Sequence, residues 1–207
     1  VSTGWVLTSL AGAGAYLLGT LPSAVIVAGR AGRDPTREGS RNPGASNVYR
    51  LAGRKAGLAV LLLDVAKGVV GTLLGWAAGG RDGACLAGLA AVLGHVAPVT
   101  RRFRGGKGVA TAGGMALVLW PLTAVALLAV FVGLALTVRI ASVGSLAMAI
   151  GLPIGVAIQG SPRLEVTVAA VVAALVVARH HENIGRLVRG EERRTTAADP
   201  RRPEPTT

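Results

Sequence analysis

The sequence predicts an all-α integral membrane protein, a polytopic bundle of about seven transmembrane helices, some of them short or re-entrant. Three observations carry this. Apolar residues make up 51% of the 207 and charged residues only 15%. No charged residue occurs between Trp5 and Ala28, nor from Val109 to Val138, and uncharged apolar runs of this length suffice to cross a bilayer. The formal charge of +12 is also gathered into few places. Of the 22 Lys and Arg, all but Lys67, Arg81 and Arg163 fall in 30–55, in 101–107, at Arg139 or from Arg179 onward. Such a chain is neither a soluble enzyme nor a disordered one. Aromatics at 3% leave little to stack on bases, so no nucleic-acid partner is expected. One cysteine, Cys85, excludes an internal disulfide and a Cys-rich metal site.

Lys- and Arg-rich loops stay in the cytoplasm, so segment 5–28 runs inward and the N-terminus lies outside. It lacks the basic flank of a signal peptide and is too long for one. Segment 57–79 runs out and 83–99 returns. Loop 100–108 and the C-terminal region are both Arg-rich, so an even number of crossings joins them. Segments 140–158 and 164–178 supply two. As one helix, 109–138 would be about 45 Å long, against a hydrocarbon core of about 30 Å. Two short or tilted helices broken at Trp120-Pro121 fit better, since proline ends or kinks a helix. The alternative count is five spans plus a re-entrant pair. Residues 1–190 then form a single transmembrane domain with a cytoplasmic C-terminus. The stretch 191–207, rich in Arg, Thr, Glu and Pro, reads as a disordered tail.

Three polar, glycine-rich stretches share the cytoplasmic side. In the first, 39–50, Pro43 and Gly44 favour a tight turn. Ser46 and Asn47 then start a helix with Arg50 one turn in. Ser40, Asn42, Ser46, Asn47, the backbone at Gly44 and Arg50 together make a candidate anion site. The second holds Gly105-Gly106-Lys107-Gly108. It is not the nucleotide-binding P-loop, because Gly108 stands where Ser or Thr is required. Glycines there let backbone N–H groups approach a phosphate, and Lys107 adds a compact charge in a chain that otherwise favours arginine. In the third, His180 and Asn183 lie three apart, on one face of a helix, and His180 offers acid, base or hydrogen-bond chemistry. Asp64 and Lys67 sit inside a span at a spacing that allows an ion pair, structural or catalytic. His95 reads as a structural hydrogen-bonding residue.

These stretches together resemble the bacterial PlsY family of membrane glycerol-3-phosphate acyltransferases. The likeness covers about residues 5–191. It rests on GSRNPGASNVYRLAG at 39–53, LDVAKG at 63–68, GHVAPVTRRFRGGKGVAT at 94–111 and HHENIGRLVRGEE at 180–192. Ser46 stands where the family commonly has Thr, and His181 where many members have Arg. The resemblance implies transfer of a fatty acyl group from acyl phosphate to the 1-hydroxyl of sn-glycerol 3-phosphate. The products are lysophosphatidic acid and phosphate, in the first acylation of phospholipid synthesis. It implies residence in the bacterial inner membrane among its lipids, no cofactor and no metal, and identifies no protein partner. An acyl phosphate is already activated, so a site need only bind two phosphates, orient a hydroxyl and stabilise an oxyanion. Lys107, His180 and Asn183 are the expected catalytic residues; Ser40, Asn42, Gly44, Ser46, Asn47, Arg50, Gly105, Gly106 and Gly108 are expected to bind substrate. The rival reading is a membrane anion or phosphate transporter, which would more often show inverted repeats and helices broken at the midplane.

Overall fold

A computed structural model describes residues 3–194, and 195–207 of the expected tail lie outside the described residues. Among them the regular elements are helical: α1 (Thr3–Gly19), α2 (Ser23–Gly29), α3 (Ala45–Val96), α4 (Val109–Leu119), α5 (Pro121–Thr137), α6 (Ala141–Ile158), α7 (Arg163–Arg179) and α8 (His181–Val188), with a 3₁₀ turn at Val99–Arg101. Three helical stretches are long and apolar enough to cross a membrane: Gly4–Gly29, Ala45–Arg101 and Ala141–Ile158. The pair α7 and α8, bent by 59°, makes a fourth; α4 and α5 are shorter apolar helices.

The breaks have local causes. The uninterrupted span expected over 5–28 is instead two helices, because Pro22 lacks an N–H and pushes Leu21 out of helical geometry. The Leu21 carbonyl freed by that break accepts from Lys67 Nζ at 2.5 Å. α3 runs through two sharp bends, at Gly53 (φ 85°, ψ −179°) and Gly79–Gly80 (Gly80 φ 60°, ψ −147°). Only glycine adopts the Gly53 and Gly80 conformations readily. The bends divide α3 into limbs over 45–52, 54–78 and 81–96. The expected break at Trp120-Pro121 is present: Trp120 leaves helical geometry and Pro121 opens α5, where its missing N–H is not needed.

Side-chain contacts fix the direction of each pass. Thr8, near the start of α1, packs on Gly79, and Gly19 at its end packs on Gly94 and His95. α5 runs antiparallel to α6, with Thr123 on Gly155, Leu127 on Gly151 and Phe131 on Gly144. α7 starts beside Trp120 and Arg81, through Glu165, and ends beside Gly105 and Gly106, through Arg179. The chain therefore passes seven times between two ends of the bundle. α4 lies tightly along the 54–78 limb. A Cβ at Gly68 would collide with the Thr111 carbonyl, and one at Gly114 with that of Val65, the close backbone approach by which small residues join helices in lipid. The core holds Met115, Leu119, Trp120, Val156 and Val172, while large apolar side chains such as Leu122, Leu136 and Ile158 face outward, as a lipid-facing surface requires.

Candidate active site

One end of the bundle collects the three glycine-rich stretches. Lys107 stands one residue before the N-cap of α4, Gly108, whose φ of +85° suits glycine. The Lys107 ammonium donates to Asn183 Oδ1. Asn183 Nδ2 in turn donates to Glu192 Oε1 at 2.6 Å. The same carboxylate accepts from Ser142 Oγ at 3.1 Å and from Arg186 Nε at 2.8 Å. Lys107 and Asn183, expected as catalytic and 76 residues apart in sequence, are thus brought into direct contact. Burial drops the Lys107 pKa to about 8; the Glu192 carboxylate opposes this, while Arg186 and Arg50 add to it. At Glu192 burial pushes the pKa up, but hydrogen bonds from Asn183 and Arg186 outweigh it and hold the carboxyl below its ordinary range.

His180 closes α7 and caps α8, and is buried. Its Nδ1 lies 2.7 Å from the Val176 carbonyl. A carbonyl only accepts, so Nδ1 carries the hydrogen and Nε2 carries the lone pair. Burial lowers its pKa to about 4 against the Val176 bond, helped by the Lys107 charge. The ring is therefore neutral near pH 7, with an acceptor nitrogen.

The first stretch behaves unevenly. Arg50, on the 45–52 limb, lines the cavity and has no side-chain bond among the described residues. Ser40, Asn42, Gly44 and Ser46 line it as well. Asn47 does not offer the free amide expected of it. Its Oδ1 accepts from the Ser40 N–H at 3.0 Å, and its Nδ2 donates to the carbonyls of Pro35 and Glu38, both at 3.1 Å. Asn47 folds the loop that presents Ser40 and Asn42. Gly105 and Gly106 also differ from expectation. They sit behind Lys107, against His95, and line a separate small recess; only Gly108 of the three glycines lines the main cavity.

The main cavity measures about 380 Å³, within the range of small-ligand sites. Its polar end holds Arg50, Lys107, His180, Asn183, Glu192 and Arg193. Its other end is apolar, with Leu62, Leu117, Leu127, Leu128, Phe131 and Leu152 drawn from α3 to α6. Sequence reasoning missed Glu192, Ser142 and Arg186. Glu192 was placed in a disordered tail, whereas its side chain is buried and ties that segment to α6 and α8. Its position inside the HHENIGRLVRGEE motif was the available signal. The Asp64–Lys67 pair is buried and bonded: Asp64 Oδ1 accepts from Lys67 at 2.8 Å and from Ser23 at 2.9 Å, His95 Nδ1 stands 3.6 Å away, and Asp64 and His95 both reach the wall of the main cavity.

A cationic pocket at one end of an apolar helical bundle, continuous with an apolar groove, defines a class: a helical membrane protein with a site that is charged at one end and apolar at the other. Comparison with known proteins places it more closely. The sequence profile described as "Glycerol-3-phosphate acyltransferase" matches residues 9–190; the chain belongs to that family. A glycerol-3-phosphate acyltransferase of Geobacter sulfurreducens is 43% identical over 184 residues, covering 88% of this chain and 95% of the relative. One from Anaeromyxobacter sp. is 47% identical over 191 residues, covering 88% and 93%. Two crystal structures of PlsY, an integral membrane glycerol 3-phosphate acyltransferase, share the fold at 38% identity and cover 90% of this chain and 94% of theirs. The glycerol 3-phosphate form gives a TM-score of 0.87 and the lysophosphatidic acid form 0.85.

Proposed function

We propose that the protein transfers a fatty acyl group from acyl phosphate to the 1-hydroxyl of sn-glycerol 3-phosphate. The observation that carries this is the continuity of the cavity, from the Arg50–Lys107–Asn183 cluster to the apolar walls of α4, α5 and α6. Arg50, Lys107, the Ser40 hydroxyl and the free N–H groups at the start of α4 hold phosphate oxygens. The acyl chain lies in the apolar arm. His180 Nε2 accepts a hydrogen bond from the glycerol hydroxyl and aligns it with the acyl carbonyl. The hydroxyl oxygen bonds to the carbonyl carbon, the bond from that carbon to the phosphate oxygen breaks, and phosphate leaves. A base with a pKa near 4 is poorly matched to this proton at neutral pH. The departing phosphate, which is more basic than this imidazole, is the better acceptor.

We further infer that the site faces the cytoplasm and the N-terminus lies outside, because the cations of 30–55, 101–107 and 179–194 gather at the site end while Arg81 and Arg163 lie at the other. The relatives and solved structures are acyltransferases, which removes the ground for the transporter reading. The deciding assay supplies purified protein with glycerol 3-phosphate and either synthetic acyl phosphate or acyl-CoA, with no metal added. Lysophosphatidic acid from acyl phosphate is the expected product; turnover with acyl-CoA alone overturns the donor assignment. Arg50→Ala is expected to lower kcat/KM about 10- to 100-fold, the loss of a hydrogen bond to a charged group.

A further inference from the structure

We propose that Arg179 and His95 are positioning residues that clamp the Gly105–Gly106 backbone and thereby aim Lys107 into the cavity. The inference rests on reading Lys107 as a phosphate-holding residue. Neither clamp residue needs to touch a reacting atom.

Each trans peptide points its C=O and the following N–H in opposite directions. The plane between Gly105 and Gly106 is fixed at both edges. The Gly105 carbonyl accepts from Arg179 Nη2 at 2.9 Å, and the Gly106 N–H donates to the His95 carbonyl at 3.0 Å. The next plane is held at one edge, where the Gly106 carbonyl accepts from Arg179 Nε at 3.2 Å. The Lys107 N–H, opposite that carbonyl, is turned away from Arg179 and has no partner in the loop backbone. One planar guanidinium therefore holds two consecutive carbonyls on one side and leaves the Lys107 amide and side chain on the other.

Glycine is needed at both clamped positions because there is no room behind them. A Cβ at Gly106 would run into His95 Nε2, and one at Gly105 into the carbonyls of His95 and Val96. The His95 ring is buried beside Asp64. Nδ1 stands 3.6 Å from Asp64 Oδ1, and Asp64 is fixed by Ser23 and Lys67. Lys67 also ties in the Leu21 carbonyl at the α1–α2 break. Arg179 has no carboxylate partner among the described residues, so its charge is directed wholly at the loop.

A positioning role and a general structural role make different predictions. Lysine keeps the charge of Arg179 but cannot span two carbonyls with a planar fork. Full-length protein in detergent is compared with Arg179→Lys and Gly106→Ala by hydrogen–deuterium exchange and by steady-state kinetics. In Arg179→Lys, exchange over 105–110 is expected to rise about tenfold while α6 is unchanged. The KM of a phosphate substrate is expected to rise about tenfold or more, with kcat kept within about threefold. Gly106→Ala, which pushes the loop off the His95 ring, should reproduce both effects and decides the matter if Arg179→Lys exchanges faster everywhere. Loop exchange at the wild-type level in both variants, or raised exchange with unchanged KM values, overturns the proposal. Wild-type protein that makes no lysophosphatidic acid sinks the functional reading alone, and the exchange comparison then decides the clamp by itself.

Discussion

Lys107 meets a substrate phosphate only as an ammonium, and its burial sets the pH at which that form is lost. With its pKa drawn down to about 8, the free protein holds the proton below that pH and gives it up as pH rises through it. The profile of kcat/KM, which reports groups of the free enzyme, is therefore expected to fall on the alkaline side from about pH 8. Lys107→Arg keeps its charge throughout, so whatever activity it retains should show no such limb. An identical limb in that variant would assign the titration elsewhere. Glu192 raises the Lys107 pKa through its charge, so Glu192→Gln should move the limb to lower pH. These residues were unequally legible. Lys107, His180 and Asn183 could be picked out because each is a chemically capable side chain in a polar loop, and the structure brings all three to one cavity. Glu192 had only its place in the HHENIGRLVRGEE motif to mark it, because a carboxylate reads as repulsive toward phosphate until its Arg186, Asn183 and Ser142 donors are seen around it. Asn47 and the glycine pair have other contacts than their sequence suggests, for a related reason. A sequence shows that a group can bind an anion, but not that its donors or its space are already taken by the fold.

At the scale of elements, the break between α4 and α5 is held from outside the site. Arg81 donates to Glu165 at 2.5 and 2.9 Å and to the Leu119 carbonyl at 2.9 Å, and Trp120 Nε1 donates to Glu165 at 2.6 Å. Leu119 is the last residue of α4, so its carbonyl lacks a helical partner. The clamp is asymmetric: the Arg81 side chain is 44% exposed and that of Glu165 only 2%. Arg81→Ala strands a buried carboxylate and is expected to cost about 3 kcal/mol. Glu165→Gln keeps an acceptor, leaves a cation that reaches solvent, and should cost about 1 kcal/mol. The double variant should then be more stable than Arg81→Ala alone, the coupling expected of directly bonded partners. Thermal unfolding in detergent measures this; additive losses would show that Glu165 is held by other groups. The Pro121 break was legible because proline's effect is local and the uncharged run was too long for one crossing. The Pro22 break was not, because α1 and α2 together have the length of one ordinary span. The bend at Gly79–Gly80 falls in the expected gap between segments 57–79 and 83–99, but the bend at Gly53 was not legible, since a glycine beside an apolar run does not announce its φ.

Over the whole molecule, the +12 charge and the apolar surface are two parts of one arrangement. Seven passes between the ends put the N-terminal end of α1 and the site on opposite sides. Among the described residues the site end carries most of the cations, and a small subset of these, Arg50 and Lys107 foremost, faces the cavity. Orientation in the membrane can be tested independently of catalysis. Cys85 is buried and unpaired, so a Cys85→Ala background should be silent to a membrane-impermeant maleimide. Into it go Asp82→Cys at the far end and Arg102→Cys beside the site, both at exposed positions. In intact spheroplasts the cysteine at 82 should label and that at 102 should not; after permeabilisation both should. The reverse pattern would place the site outside, away from a cytoplasmic supply of glycerol 3-phosphate. It would also break the rule by which lysine- and arginine-rich loops stay inside. Labelling at both positions before permeabilisation would mean an even number of membrane crossings between residues 82 and 102, and so a third limb of α3 that does not span.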